Sequence, residues 1–190
     1  MIRFNEVCFS FPEKEILRNC SFSLTQGERV ALLESSGAGK TTFLRLCAGL
    51  LVPQKGHIER DGRIVMQFQE PRLLPWLTVE ENIRLVLSDG DDQELPEILL
   101  DAMGLADWKN HSPEDLSGGM QQRASLARTL AYGGDVFLLD EPLNAQDAER
   151  KETVIDLINE YTEGSSLLLV THDPEEAARL HCRILPWESL

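Results

Sequence analysis

The sequence predicts an α/β fold: a mostly parallel sheet flanked by helices, with an N-terminal antiparallel β subdomain and an inserted helical lobe. Three observations point there. Short apolar runs at 29–33, 136–139 and 166–170 have the length and continuity of strands buried on both faces. Helical patterns at 41–51, 117–132 and 148–161 alternate with them, which implies crossover connections and parallel pairing. The 190 residues are 42% hydrophobic, enough for one domain, 1–190, with a sizeable core.

Taken in order, residues 2–9 and 21–25 alternate apolar and polar side chains, as half-buried strands do. Between them Pro12 and Glu13-Lys14-Glu15 read as a turn. The run 29–33 leads into a Gly-rich turn. The helix predicted at 41–51 places Phe43, Leu44, Leu46, Cys47 and Leu50 at near-helical spacing, with Pro53 as its stop. A hairpin turning at Asp61-Gly62 is predicted over 57–66. From about 70 to 116 the chain changes character: helices are predicted at 78–87, 95–103 and 105–110, interrupted by Ser88-Asp89-Gly90-Asp91-Asp92, a solvated loop tip. This is the inserted lobe. Gly133-Gly134 closes the helix at 117–132, and Pro186 should stop a last strand after Leu180.

Composition excludes several classes. Lys plus Arg number 18 against 32 Asp plus Glu, a net charge of −14. Such a surface repels phosphate backbones and acidic lipid, so neither nucleic acid nor a polybasic membrane contact is expected. Cys8, Cys20, Cys47 and Cys182 are scattered without a CxxC pair, which argues against zinc and suits a reducing, cytoplasmic setting. No run approaches the ~18 apolar residues of a membrane span, and Met1-Ile2-Arg3-Phe4-Asn5-Glu6 carries acid, unlike a signal peptide. His57, His111 and His181 lack metal-ligand spacing, and Trp108 and Trp187 are expected to pack.

Three motifs carry chemistry. Ser35-Ser36-Gly37-Ala38-Gly39-Lys40-Thr41-Thr42 lies between a strand and a helix. Small residues let backbone N–H groups curl around phosphates, and the helix N-terminus adds a positive dipole end. Lys40 can reach the β- and γ-phosphates and the Thr41 hydroxyl can bind Mg²⁺. The pattern asks for glycine where Glu34 stands; a carboxylate there either points away or opposes phosphate binding. Next, the apolar run 136–139 ends in Asp140-Glu141, at the carboxyl end of a buried strand, where open α/β sheets bind ligands. Asp140 would hold Mg²⁺ and Glu141 would polarise the attacking water. Finally, Leu116-Ser117-Gly118-Gly119-Met120-Gln121 opens a helix with two glycines, costly there by about 1 kcal/mol each and sensible where backbone approaches a ligand.

With these motifs in this order, the chain resembles the ATP-binding cassette family of P-loop NTPases, almost end to end. His172 in Val170-Thr171-His172-Asp173 is similar to the family's switch histidine, Gln69 in Phe68-Gln69-Glu70 to its Q-loop glutamine, and Asp147 to its D-loop aspartate. The resemblance implies a head-to-tail dimer with two ATP molecules between subunits. Each would touch the phosphate loop of one chain and the signature, Ser117, Gly118, Gly119 and Gln121, of the other. It further implies His172 on the γ-phosphate, Gln69 with Thr41 and Asp140 around Mg²⁺, and an aromatic on adenine, Phe11 with Phe9 as competitor. A permease is implied to dock near Gln69–Trp76, where Leu73-Leu74-Pro75-Trp76 is apolar and flanked by proline. The wording of that stretch is similar to ATPases of nitrate, taurine and aliphatic sulfonate importers, systems that include a solute-binding protein. The chain is then expected on the inner face of the membrane, held there by its partner. The short piece between Lys40 and Gln69 and the stop at Leu190 suggest a compact cassette. A soluble cassette ATPase and a regulatory subunit that scarcely hydrolyses are the rivals.

Overall fold

The computed structural model describes residues 1–33, 39–144 and 148–190. They form two compact units. The first comprises residues 1–66, 134–141 and 164–190; the second comprises 67–133 and 142–163.

In the first unit, β1 (Ile2–Phe11) and β2 (Lys14–Leu24) make a long antiparallel hairpin, with Ile2 opposite Leu24 and Phe11 opposite Lys14. The turn expected to begin at Pro12 shrinks to Pro12-Glu13, and 14–20 is strand. Leu17 and Cys20 are buried, while the charges that suggested a loop sit on an edge strand, where Arg18 pairs with Glu15 at 2.9 Å. β4 (Lys55–Arg60) flanks β1 on its other side, with Ile2 opposite Arg60.

The hairpin predicted at 57–66 is therefore not formed. β5 (Ile64–Gln67) joins a second sheet beside β6 (Val136–Asp140). The chain bends at Gly62, where φ is 87°, but long-range pairings separate the two arms. Asp61 exchanges backbone hydrogen bonds with Met1, and the Arg63 amide donates to Asp135 Oδ2 at 2.6 Å.

The second sheet has the order β5-β6-β7-β3-β8, with β3 (Arg29–Leu33), β7 (Ser166–Thr171) and β8 (Arg183–Pro186). The pairs β6–β7, β7–β3 and β3–β8 are parallel, as predicted. α6 (Pro174–Arg179) precedes β8; it is too short and acidic to show helical periodicity.

α1 (Lys40–Cys47) ends before the predicted boundary. Gly49 takes a φ of 75°, open to glycine without strain, and its amide donates to Leu46 O at 3.1 Å. Arg60 Nε adds a bond to Cys47 O at 2.8 Å. A cation at the carboxyl end of the helix dipole completes the stop, so Pro53 is not needed for it. Phe43 on α1 packs against Phe4 and Phe22 at centroid distances of 4.9 and 5.2 Å and against Trp187 at 6.0 Å. α1 thus unites both sheets in one buried cluster.

The second unit is helical. α2 (Val79–Arg84) opens with a capping box: Glu81 N–H donates to Thr78 Oγ1 and Thr78 N–H to Glu81 Oε2. α2 and α3 (Leu95–Ala102) pack on α4 (Gly118–Tyr132), with Ile83, Leu99, Leu100 and Leu126 buried; α5 (Ala148–Tyr161) also borders α4. The helix predicted at 105–110 is a 3-10 turn at Ala106–Trp108, whose Trp108 packs on His111 at 5.0 Å. Residues 88–92 are exposed, as predicted.

Candidate functional site

The first unit gathers one set of predicted residues at the carboxyl ends of its parallel strands. Gly39 caps α1 with φ 112° and ψ 11°, a conformation that side chains rarely adopt. A Cβ there would lie 2.6 Å from Ile16 Cγ2, so the site also lacks space for one. Behind it Phe43 anchors α1, and Lys40 and Thr42 are buried at the helix start.

Thr41 and Asp140 meet directly: Thr41 Oγ1 donates to Asp140 Oδ2 at 2.7 Å. Asp140 is 2% exposed. Burial pushes its carboxyl above the ordinary range; the Thr41 hydrogen bond opposes this, and neighbouring Glu141 adds to it. A carboxylate and a hydroxyl converging in a buried place suit a hard divalent cation, which takes oxygen ligands. The residues present therefore fit Mg²⁺.

Glu141 follows with φ 49°, a left-handed conformation costing roughly 1 kcal/mol. It is held by its N–H donating to Val170 O at 2.9 Å. His172 follows β7, and its ring is exposed without a hydrogen bond among the described residues. Phe11 ends β1 with 44% of its surface exposed, whereas Phe9, 5.2 Å away edge to face, is 7% exposed and belongs to the core. Of these two, only Phe11 has a face available to a ligand.

The second unit carries the other set. Gln69 is exposed. Ser117 is the N-cap of α4, its Oγ accepting from Met120 N–H at 3.4 Å. A Cβ on Gly118 would meet nothing within 4 Å, so local packing does not demand that glycine. Gln121 is employed within the fold: Nε2 donates to Pro113 O at 3.0 Å and Leu116 O at 3.1 Å, holding the loop before the signature. Predicted residues Ser35, Ser36, Gly37, Ala38 and Asp147, and the exceptional Glu34, lie outside the described residues.

Sequence reading missed a hub that shapes the stretch after Gln69. Asn82 is fully buried on α2. Its Oδ1 accepts from Leu74 N–H at 2.7 Å, and its Nδ2 donates to Leu74 O, Leu77 O and Thr78 O at 3.1, 3.4 and 2.9 Å. From α4, Arg128 donates to Pro71 O at 3.1 Å, Arg72 O at 3.0 Å and Asn82 Oδ1 at 3.4 Å. The one signal was a polar Asn82 between apolar Val79 and Ile83. The hub leaves Trp76 74% exposed.

Residues 17–144 match the ABC transporter family model. The chain belongs to the ABC transporter family. Relatives confirm it over nearly its whole length. The aliphatic sulfonates import ATP-binding protein SsuB 2 of Pseudomonas syringae pv. tomato is 43% identical over 179 residues, 93% of this chain and 77% of the relative. The aliphatic sulfonates import ATP-binding protein SsuB 1 of Shouchella clausii is 44% identical over 92% of this chain and 72% of its own length. Among solved structures, a dimeric post-hydrolysis state of an ATP-binding cassette bound to ADP and Pi superposes with a TM-score of 0.83 at 28% identity, covering 98% of this chain and 94% of the other. The ABC assignment makes this chain an ATP-binding, ATP-hydrolysing cassette, with the P-loop NTPase fold the sequence predicted. No helix among the described residues is long and apolar enough to cross a membrane.

Proposed function

We propose that this ABC cassette hydrolyses Mg-ATP to drive import of a small anionic solute, an aliphatic sulfonate as in the names of its relatives, through a separate permease. The observation that carries the reading is the Thr41–Asp140 bond at 2.7 Å, at the end of the helix that Lys40 begins.

Gly39 brings backbone N–H groups close to the phosphates, with Ser35, Ser36, Gly37, Ala38 and Thr42 completing the loop, and Lys40 neutralises phosphate charge. Thr41, Asp140 and Gln69 would hold Mg²⁺, which supplies charge stabilisation on the phosphates. Glu141 accepts the proton of the attacking water. His172 donates to the γ-phosphate, and Phe11 stacks on adenine. Ser117, Gly118 and Gly119 at the start of α4 serve a nucleotide held by a second copy, where the helix dipole favours anionic phosphate; Gln121 supports their loop, and Asp147, outside the described residues, is assigned to the same interface by the family resemblance. A dimeric cassette is the state of the solved neighbour. The chain is read as one cassette, its lobe at about 70–116, working at the inner membrane face. The permease docks on Leu73–Trp76, and a solute-binding protein delivers the solute.

Glu141→Gln tests the reading. It should lower turnover at least about 100-fold, retain ATP binding by calorimetry, prolong the dimer in light scattering, and abolish uptake of a labelled short alkanesulfonate in cells carrying only the variant. Parental turnover in Glu141→Gln would remove the base assignment. Failure of the parental chain to restore alkanesulfonate uptake would remove the solute class.

A further inference from the structure

The exposed ring of His172 has no hydrogen bond among the described residues, and among them it is the backbone that sets its place. That backbone is held on both sides by one buried carboxylate. Thr171 is 1% exposed, pairs in register with Leu33 on β3, and donates its hydroxyl to Glu176 Oε2. The same Thr171 Oγ1 accepts from the Asp173 N–H at 3.1 Å. Asp173 then caps α6, its Oδ1 accepting from Glu175 N–H at 2.9 Å. The residues before and after His172 are thus tied to a single oxygen, and that oxygen is tied to Glu176.

Glu176 is 5% exposed. A carboxylate in the first turn of a helix gains from the dipole while exposed, and neighbouring Glu175 is exposed in that way. Burying one instead carries a desolvation cost that only hydrogen bonding offsets. Capping α6 does not require it, because Asp173 performs that task. The buried position brings its Oε2 to the Thr171 hydroxyl.

We propose that Glu176 is a positioning residue for His172, acting through the Thr171 hydroxyl to hold the β7–α6 turn. This rests on the assignment of His172 to the γ-phosphate. Valine at 171 would keep the shape of threonine and lose both hydrogen bonds, whereas serine would keep them. Glutamine at 176 would still offer an oxygen to the Thr171 hydroxyl.

The experiment compares Mg-ATP turnover by purified Glu176→Ala, Glu176→Gln, Thr171→Val and Thr171→Ser, in parental and His172→Ala backgrounds, with unfolding midpoints measured alongside. Glu176→Ala and Thr171→Val should lower kcat by about tenfold or more with KM within about twofold. Glu176→Gln and Thr171→Ser should recover most of the rate. In His172→Ala the same changes should add no further fall, because their effect passes through that ring. An equal proportional fall in both backgrounds would overturn the proposal and make Glu176 a general support of the fold. So would an unchanged kcat in Glu176→Ala, or, if that variant fails to fold, an unchanged kcat in Thr171→Val. Parental turnover by His172→Ala itself would instead refute the role of His172, and the proposal with it, leaving the Glu141 assignment standing.

Discussion

Replacing Arg128 with methionine keeps an unbranched apolar stem on α4 and removes the guanidinium that fastens the 71–78 segment. Its two well-formed bonds, to Pro71 O at 3.1 Å and Arg72 O at 3.0 Å, come from a charged donor. Such bonds contribute about 1.5–3 kcal/mol each, and both carbonyls lie near water, so the lower end applies and the pair contributes roughly 3 kcal/mol. The third, to Asn82 Oδ1 at 3.4 Å, is long and adds little. Against this stands the cost of half-burying the guanidinium, which holds its pKa below the usual arginine value and returns about 1 kcal/mol when the group is removed. Arg128→Met should therefore destabilise the protein by about 2 kcal/mol, a figure composed of those terms. Denaturant unfolding should show a lower midpoint with an unchanged slope. Hydrogen exchange should show faster exchange of the Leu74 amide, which bonds to Asn82 at 2.7 Å, because the segment opens locally. A change below about 0.5 kcal/mol, the scatter of ordinary surface substitutions, with unaltered exchange at Leu74, would refute the view that Arg128 holds this segment.

Two further outcomes follow from particular side chains. Burial holds the Asp140 carboxyl above its ordinary range, so the folded state binds that proton more tightly than the unfolded chain; stability falls as pH rises from the ordinary carboxylate range through the folded value, and stays lowered above it. Asp140→Asn should accordingly raise the metal-free melting midpoint at pH 7.5, lose that advantage as pH falls, and gain little from added Mg-ATP; a lower midpoint at pH 7.5 would refute the sign. Trp76→Ala, at a site 74% exposed, should shift stability by less than about 0.5 kcal/mol and spare basal ATP hydrolysis while weakening co-purification with the permease; undiminished co-purification would place docking elsewhere.

The contrast between motif and setting runs through the whole chain. The residues from Ser35 to Thr42, Asp140-Glu141 and Ser117-Gly118-Gly119 are legible because the chemistry each needs is local: a turn of small residues, paired acids at a strand end, a glycine-bearing helix start. The sequence favours Phe11 over Phe9, but alternation along one strand does not separate positions two apart; their exposures, 44% and 7%, depend on what packs beneath each. Gln121, expected in the signature, also holds the carbonyls of Pro113 and Leu116, a bond pair that no spacing reveals.

By itself the sequence determined the fold class and the alternation of parallel strands with helices, and it nominated the residues proposed to meet phosphate and metal, because periodicity and turn chemistry act over a few residues. It could not divide β4 from β5. A strong local turn at Asp61-Gly62 was outweighed by Met1 and Asp135, partners 60 and 72 residues distant from the groups they bind. It could not place the end of α1, which depends on Arg60 reaching back to the carbonyls of Leu46 and Cys47. Nor could it show Arg128 fastening Pro71 and Arg72, or Glu176 beneath Thr171. Those choices belong to the tertiary structure because each turns on burial. A buried donor or carboxylate must find its partner wherever the fold brings one, and which one that is emerges only when distant segments have packed together.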